Sequence, residues 1–407
     1  MNIRIHPEKF YRDYFLNTKD GVYLAAYGYM MLSKLWDASA ATGNNPFRYT
    51  FIVTVFLLIC EFFNGTRKSF IYTVLFAGIG FAAIKLAGIP VIGHDALIGI
   101  LFLYTGRAVP FHRIGNFTIG LCSLLVLIIV GASYLGILPN YTSTGRIREG
   151  LGFIYPLFFP AYLLNITSLV IYLRRSLSYR ALLFLLAINV FAYMKCDGRI
   201  SFFCAIILLS GAVILKILKP DGKKMHSFFS ASIFCYPVCL MVSFLLTLLY
   251  GMKNYWQWII FLDEYLSGRL HLGYEGLINY GIRPFYQSVK WVGGGGFFQG
   301  KEVLESYNWV DNMYIRFFID NGYIIGIIFF VFLTISTYIG WKRKDYVFLL
   351  VMITCAVHGL IDDSKLDLTK NTFLFLSASL FYNKELKMHD KLKYILRGIT
   401  DKISGVI

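Results

Sequence analysis

The chain is predicted to be an all-α polytopic integral membrane protein with about twelve transmembrane helices. Three observations carry that prediction. The 407 residues are 57% hydrophobic and 18% aromatic but only 15% charged, too apolar for a soluble chain of this length. Apolar segments of about 18 residues or more recur, each long enough to cross a hydrocarbon core of roughly 30 Å. Short basic connections separate them on alternate turns, the pattern by which cytoplasmic loops orient spans.

In order, the predicted spans are 20–37, 49–64, 69–87, 90–106, 115–138, 153–173, 179–195, 200–217, 228–250, 312–339, 346–360 and 371–383. The N-terminal MNIRIHPEKFYRDYFLNTKDG is polar, and no small-residue cleavage site follows the first apolar stretch, so that span is expected to act as its own insertion signal. The first and fourth spans are each short or polar. Arg67-Lys68, Arg107 to Arg113, Arg174-Arg175 with Arg180, Lys216 to Lys224, and Trp341-Lys342-Arg343-Lys344 all fall on one side if the spans alternate. That side, with both termini, is expected to be cytoplasmic. The net charge of +16 is thereby assigned to topology, and no nucleic-acid partner is expected.

Four regions follow: a membrane bundle over 1–250 with about nine spans, a large extracytoplasmic loop over 251–311, about three further spans over 312–383, and a basic tail over 384–407. Apolar residues at helical spacing with lysines between them suit that tail to an anionic inner leaflet. Within the loop, Leu270, Leu272, Leu277 and Ile278 of LSGRLHLGYEGLINYG suggest a short amphipathic helix on the membrane surface.

The seven cysteines lie in apolar segments or at a span end and form no metal-type pair, so no metal site is expected. No P-loop, HExxH or GxSxG pattern occurs, and no cofactor is expected. Energy for chemistry would come from an ion gradient or an already activated lipid-linked substrate.

The ionisable residues that a membrane protein would avoid gather on the outer face: Arg146, Arg148, Arg199, Arg269, Arg283, His358, Asp362 and Asp363. Outward arginines suit an anionic ligand, because guanidinium binds phosphate oxygens in pairs. Taken singly, Arg148 and Arg199 also fit as interfacial anchors. Arg283 precedes Pro284, and Gly294 lies in a run of four glycines that lets backbone approach a bulky substrate or simply forms a loop. Asp311 and Asn312 stand where the loop re-enters the membrane, with Tyr314 on the first turn; they fit a helix cap, and a fixed carboxylate there also fits a general base. His358, four residues before Asp362, is either structural or catalytic.

The order of these features resembles the Wzy-type bacterial polysaccharide polymerases, which are related to the O-antigen ligases. The resemblance rests on REGLGFIYP, DGRISFF, LSGRLHLGYEGLINYGIRPFYQ, DNMYIRFFIDNGYIIG and HGLIDDSKLDLTKNTFLFL, and covers most of the chain from about residue 100. It implies a GT-C-like, inverting, metal-independent glycosyltransferase of the inner or plasma membrane with its active site on the extracytoplasmic side. Such an enzyme makes O-antigen, capsule or exopolysaccharide by transferring a growing glycan from undecaprenyl diphosphate to a hydroxyl of a lipid-linked repeat unit. Besides that oligosaccharide substrate and the bilayer, a flippase and a chain-length regulator are implied as partners. Arg199, Arg269, Arg283 and Arg148 correspond to diphosphate-binding arginines. Asp311 takes the base position, where the ligases have His-Asn, and His358 is the second catalytic candidate. Asn312, Tyr314, Gly294 and Asp362 are the remaining substrate contacts. The chain departs from the pattern at Leu157, where many relatives have Asn, and at Tyr286, where Gly is commoner. Ligase-like transfer of a finished glycan to another acceptor and a lipid-linked oligosaccharide flippase remain the alternatives.

Overall fold

The computed structural model describes residues 18–41, 45–47, 49–86, 93–143, 148–174, 177–218, 223–293, 297–298, 301–302 and 307–381. The helices are α1 (Thr18–Ala38), α2 (Tyr49–Asn64), α3 (Arg67–Leu86), α4 (His94–Gly106), α5 (Phe111–Tyr134), α6 (Phe158–Leu173), α7 (Tyr179–Cys196), α8 (Arg199–Leu218), α9 (Lys223–Phe228), α10 (Cys235–Gly251), α11 (Trp258–Tyr265), α12 (Arg269–Tyr280), α13 (Met313–Lys342), α14 (Tyr346–His358) and α15 (Phe373–Leu380). A 3₁₀ turn, Phe229–Phe234, joins α9 to α10, and another, Asp363–Leu366, follows α14. Two short antiparallel hairpins, Thr142–Ser143 with Arg148–Glu149 and Phe297–Phe298 with Lys301–Glu302, are the strands among the described residues.

Each predicted span contains a helix. Five helical stretches are long and apolar enough to cross a membrane: Phe111–Tyr134, Tyr179–Cys196, Arg199–Leu218, Met225–Gly251 and Met313–Lys342. The outward faces of α2 and α3 carry exposed Phe51, Phe62, Phe63, Leu75 and Ile79, an apolar surface that water would not tolerate at such density. The tail predicted over 384–407 lies outside the described residues.

The first predicted span, α1, packs among α2, α4, α5 and α15. Tyr23, Ala26, Tyr27, Met30 and Met31 are all buried. Its tyrosines pack edge-to-face on Phe102 of α4 and Phe375 of α15, with ring centroids 5.0–6.2 Å apart. Both hydroxyls are satisfied by carbonyls, Tyr23 donating to Phe102 O and Tyr27 to Leu368 O, each at 3.1 Å. A helix with protein on several sides can carry such polar atoms, which explains its low apolarity.

The connection from α14 to α15 is held from two directions. Asn165, buried in α6, donates to Thr369 O at 3.1 Å and Thr372 Oγ1 at 2.9 Å, and accepts from Thr372 N at 3.2 Å. Tyr27 grips Leu368 from α1. This apolar-depth hydrogen bonding fixes the segment that carries Asp362 and Asp363.

The span predicted as one helix over 312–339 is broken. Gly322 has φ +78° and ψ 169°, a conformation open essentially to glycine alone. The loop segment Arg283–Gln287 supplies the missing backbone partners: Tyr323 N donates to Arg283 O at 2.9 Å and Ile324 N to Pro284 O at 3.3 Å, while Gln287 donates from N to Asp320 O at 3.0 Å and from Nε2 to Ile319 O at 2.9 Å. A gap in a helix ladder at this depth persists because other backbone refills it.

The amphipathic helix predicted in the loop forms as α12. Asp263 caps its start, accepting from Leu270 N at 2.7 Å and His271 N at 3.1 Å.

Candidate functional site

A cavity of about 1570 Å³ opens between α4, the first turns and second half of α13, α15 and the connection after α14. Along α4 its wall runs from Asp95 to Arg107, about 18 Å at the rise of an α-helix. One end is acidic and cationic at once, with Asp311, Arg316, Asp320, Asp362, Asp363 and Lys370 in its wall. The flank is apolar, with Ile325, Ile328, Phe329, Phe332 and Phe381. At the other end Lys68, Tyr72, Tyr104 and Arg107 contribute.

Asp311 lies in this wall, immediately before the cap of α13. Arg269 Nη2 stands 3.5 Å from its carboxylate. Burial pushes the Asp311 carboxyl up to about 6, while Arg269 pulls the other way and Asp362 adds to the rise. The group therefore ionises within a unit or so of neutrality, where a general base is useful. Arg269 itself is fixed by donating from Nε to Ile361 O and from Nη1 to Leu266 O, both at 2.8 Å.

Arg148 and Arg199 come together on an acid that the sequence reading had not placed in the site. Arg148 Nη2 is 3.4 Å from Asp197 Oδ2 and Arg199 Nε is 3.2 Å from Asp197 Oδ1. Arg199 is exposed, and neither arginine lines the cavity. Arg283 is exposed too; its carbonyl serves the break in α13, and its side chain is outside the wall. Thus only Arg269 of the four predicted arginines is joined to Asp311 by an ion pair among the described residues.

Asn312 is a helix cap: Oδ1 accepts from Tyr314 N and Ile315 N, and Nδ2 donates to Ser243 Oγ at 3.0 Å and Leu360 O at 2.9 Å. Tyr314 is fully buried and donates to Ala356 O at 2.8 Å. His358 is fully buried behind the wall, with Nε2 3.0 Å from Ser201 Oγ and Nδ1 3.9 Å from Asp362 Oδ1. Asp362 reaches the cavity and accepts from Ser364 N at 2.7 Å. Gly294 lies outside the described residues.

Tyr286, one of the departures noted above, closes over α4. A Cβ on Gly93 would stand 2.5 Å from its ring, so the bare backbone at Gly93 lets Tyr286 form part of the cavity rim. The other departure, Leu157, also lines the wall.

The sequence reading missed Arg316, Asp320, Trp291, Trp309 and Lys370, and left Asp363 among the outer charges without a role. Arg316 Nε is 3.1 Å from Asp320 Oδ2 and Nη1 is 3.1 Å from Asp363 Oδ2. A signal for it exists in the sequence: an arginine inside the apolar run MYIRFFI is an ionisable group at membrane depth.

No family model, no curated protein and no solved structure matches this chain.

Proposed function

We propose that this protein is a GT-C-like membrane glycosyltransferase of about twelve spans that polymerises undecaprenyl-diphosphate-linked repeat units into a surface polysaccharide. The observation that carries the reading is one cavity with a charged end at Asp311 and an apolar flank on α13. Such a cavity suits an amphiphile, a glycan diphosphate at the charged end and a polyprenyl chain along Ile325, Ile328, Phe329 and Phe332. Its volume of about 1570 Å³ exceeds the roughly 300–1,000 Å³ of drug-sized ligand sites.

In this reading Asp311 takes the proton of the acceptor hydroxyl. The hydroxyl oxygen attacks the anomeric carbon of the donor from the face opposite the diphosphate. The bond from that carbon to the diphosphate oxygen breaks as the new glycosidic bond forms, and the configuration inverts. The electron pair leaves on undecaprenyl diphosphate, which departs with the added charge. Arg269 orients Asp311 and stabilises charge at the same end. The extracytoplasmic placement of Asp311 follows from the alternation of the basic loops.

The test is incubation of the purified chain in liposomes with its lipid-linked repeat unit and no nucleotide, read on a gel. A ladder of lengthening lipid-linked glycans supports the polymerase. Unchanged single units from folded protein refute it, and transfer to a different acceptor would establish a ligase instead. A flippase reading draws on one observation, the reach of the cavity from Asp95 to Lys68 and Arg107; movement of the unit across the bilayer without elongation would establish it.

A further inference from the structure

Arg316 is a closely held cation in the cavity wall. It is 9% exposed and lies in the first turn of α13, within the apolar run MYIRFFI. Its guanidinium carbon lies 3.7 Å from the ring centre of Trp309 and 4.7 Å from that of Trp291, so the group rests against two indoles. Nε is 3.1 Å from Asp320 Oδ2, and Asp320 Oδ1 accepts from Trp291 Nε1 at 2.8 Å, which holds the same group again. Nη1 is buried and has no hydrogen-bond partner among the described residues. Asp363 Oδ2 is 3.1 Å away, close enough to pair by charge but not aligned to accept. A rigid guanidinium in the wall of a large cavity, with one N–H unused, is the arrangement that a bound anion completes.

We propose that Arg316 Nη1 anchors an oxyanion subsite in the cavity and that Asp363 is its exchangeable counter-ion, which yields by accepting a proton when a phosphate or carboxylate oxygen binds. An ionised Asp363 beside a bound oxyanion would set two negative charges against each other. As a neutral acid it removes that repulsion and can donate its O–H to the same oxyanion. Burial lifts the Asp363 carboxyl to about 7 against the pull of Arg316, with Asp362 and Asp311 adding to the rise and Lys370 opposing it, so the proton is available near neutrality. Asp320 on α13 stays engaged by Trp291 and Arg316 Nε and takes no part in the exchange. Lys370, which lines the same wall above the ring of Phe158, supplies a second cation. Two sources share this chemistry, the diphosphate of a lipid carrier and the carboxylate of an acidic sugar. The choice of those two rests on the glycan reading above; the subsite itself does not.

The test is binding of inorganic pyrophosphate and of free glucuronate to the full chain in detergent, followed by tryptophan fluorescence and calorimetry between pH 6 and 9. Comparing Asp363→Asn with wild type at each pH removes any titration of the probe. Affinity of the variant relative to wild type is expected to rise about tenfold per pH unit above 7, the signature of one linked proton. Arg316→Gln is expected to weaken binding at least about tenfold at every pH. Response to pyrophosphate alone assigns the diphosphate, response to glucuronate alone assigns an acidic sugar, and response to both defines a general oxyanion subsite. A pH-independent ratio, or no binding of either anion to wild type, overturns the proposal, and the Asp363→Asn comparison decides it even where Arg316→Gln fails to fold. Because no turnover is involved, anion binding without polymer formation leaves the subsite standing. Polymer formation with anion binding indifferent to Arg316 and Asp363 removes the subsite alone.

Discussion

Replacing Gly322 with alanine tests how the cavity is built, because this residue is where the loop strap enters α13. Two costs add. The backbone at φ +78° and ψ 169° is strained for any residue with a Cβ, by about 1–3 kcal/mol. The new Cβ would also stand 2.6 Å from Phe285 N, Phe285 O and Pro284 C, backbone atoms that no rotamer change can move aside. If the strap shifts to relieve that overlap, the four hydrogen bonds between it and α13 are put at risk, each worth about 1 kcal/mol net. The expected loss is therefore between about 2 and 7 kcal/mol. Gly136→Ala is the control: φ is +73°, but a Cβ there meets nothing within 4 Å, so only the backbone term of about 1–2 kcal/mol applies. The assay is the thermal unfolding midpoint of each variant in detergent. A Gly322→Ala midpoint no lower than that of Gly136→Ala would refute the reasoning, because it would mean that the strap and the break are not mechanically joined.

Three further outcomes follow from the same contacts. In the polymerase reading kcat/KM rises with pH through an apparent pKa near 6 as Asp311 ionises. Arg269→Gln removes the cation that favours the carboxylate and moves that limb to higher pH, whereas Asp311→Asn abolishes the limb and lowers the rate by roughly 10²–10⁴-fold; a limb that does not move in Arg269→Gln counts against the assignment. Asn312→Ala removes the cap of α13 and the tie to Ser243 and Leu360, and is expected to lower stability by about 1–2 kcal/mol, read by thermal unfolding. Glu61→Gln deprives Arg107 of a bidentate partner at 2.7 and 3.0 Å and is expected to cost about 3 kcal/mol. The double variant Glu61→Gln with Arg107→Gln should recover part of that loss, and a double variant as unstable as the sum of the singles would show that the pair is not coupled.

How much was legible in the sequence depends on the range over which each force acts. Hydropathy is a local quantity, so the helical segments could be placed from runs of apolar residues, including Phe111–Tyr134 and Arg199–Leu218. Capping is equally local: Asn312 and its two acceptor contacts follow from a side chain and the next turn of its own helix. The helix α12 was readable from its apolar residues, but not the face it buries, which is Leu270, Gly273 and Gly276 with Ile278 left exposed. The break at Gly322 was not, since its stability resides in the distant segment Arg283–Gln287 that replaces the lost helix bonds. Nor could the sequence separate the arginines. Arg148, Arg199, Arg269 and Arg283 look alike as outward cations, and only packing sets Arg269 beside Asp311 while the first two share Asp197.

The sequence by itself determined that this is an all-helical chain with several helices able to cross a membrane, because burying or exposing apolar length to lipid is decided residue by residue along each segment. The tertiary structure decided which ionisable groups face one another. Arg316 meets Asp320 one turn along its own helix, but Trp291, Trp309 and Asp363 only after the loop, α13 and the connection behind α14 have packed. Beyond one helical turn, electrostatic and hydrogen-bonding partners in a buried cavity are chosen by distance in space, which separation along the chain does not reveal.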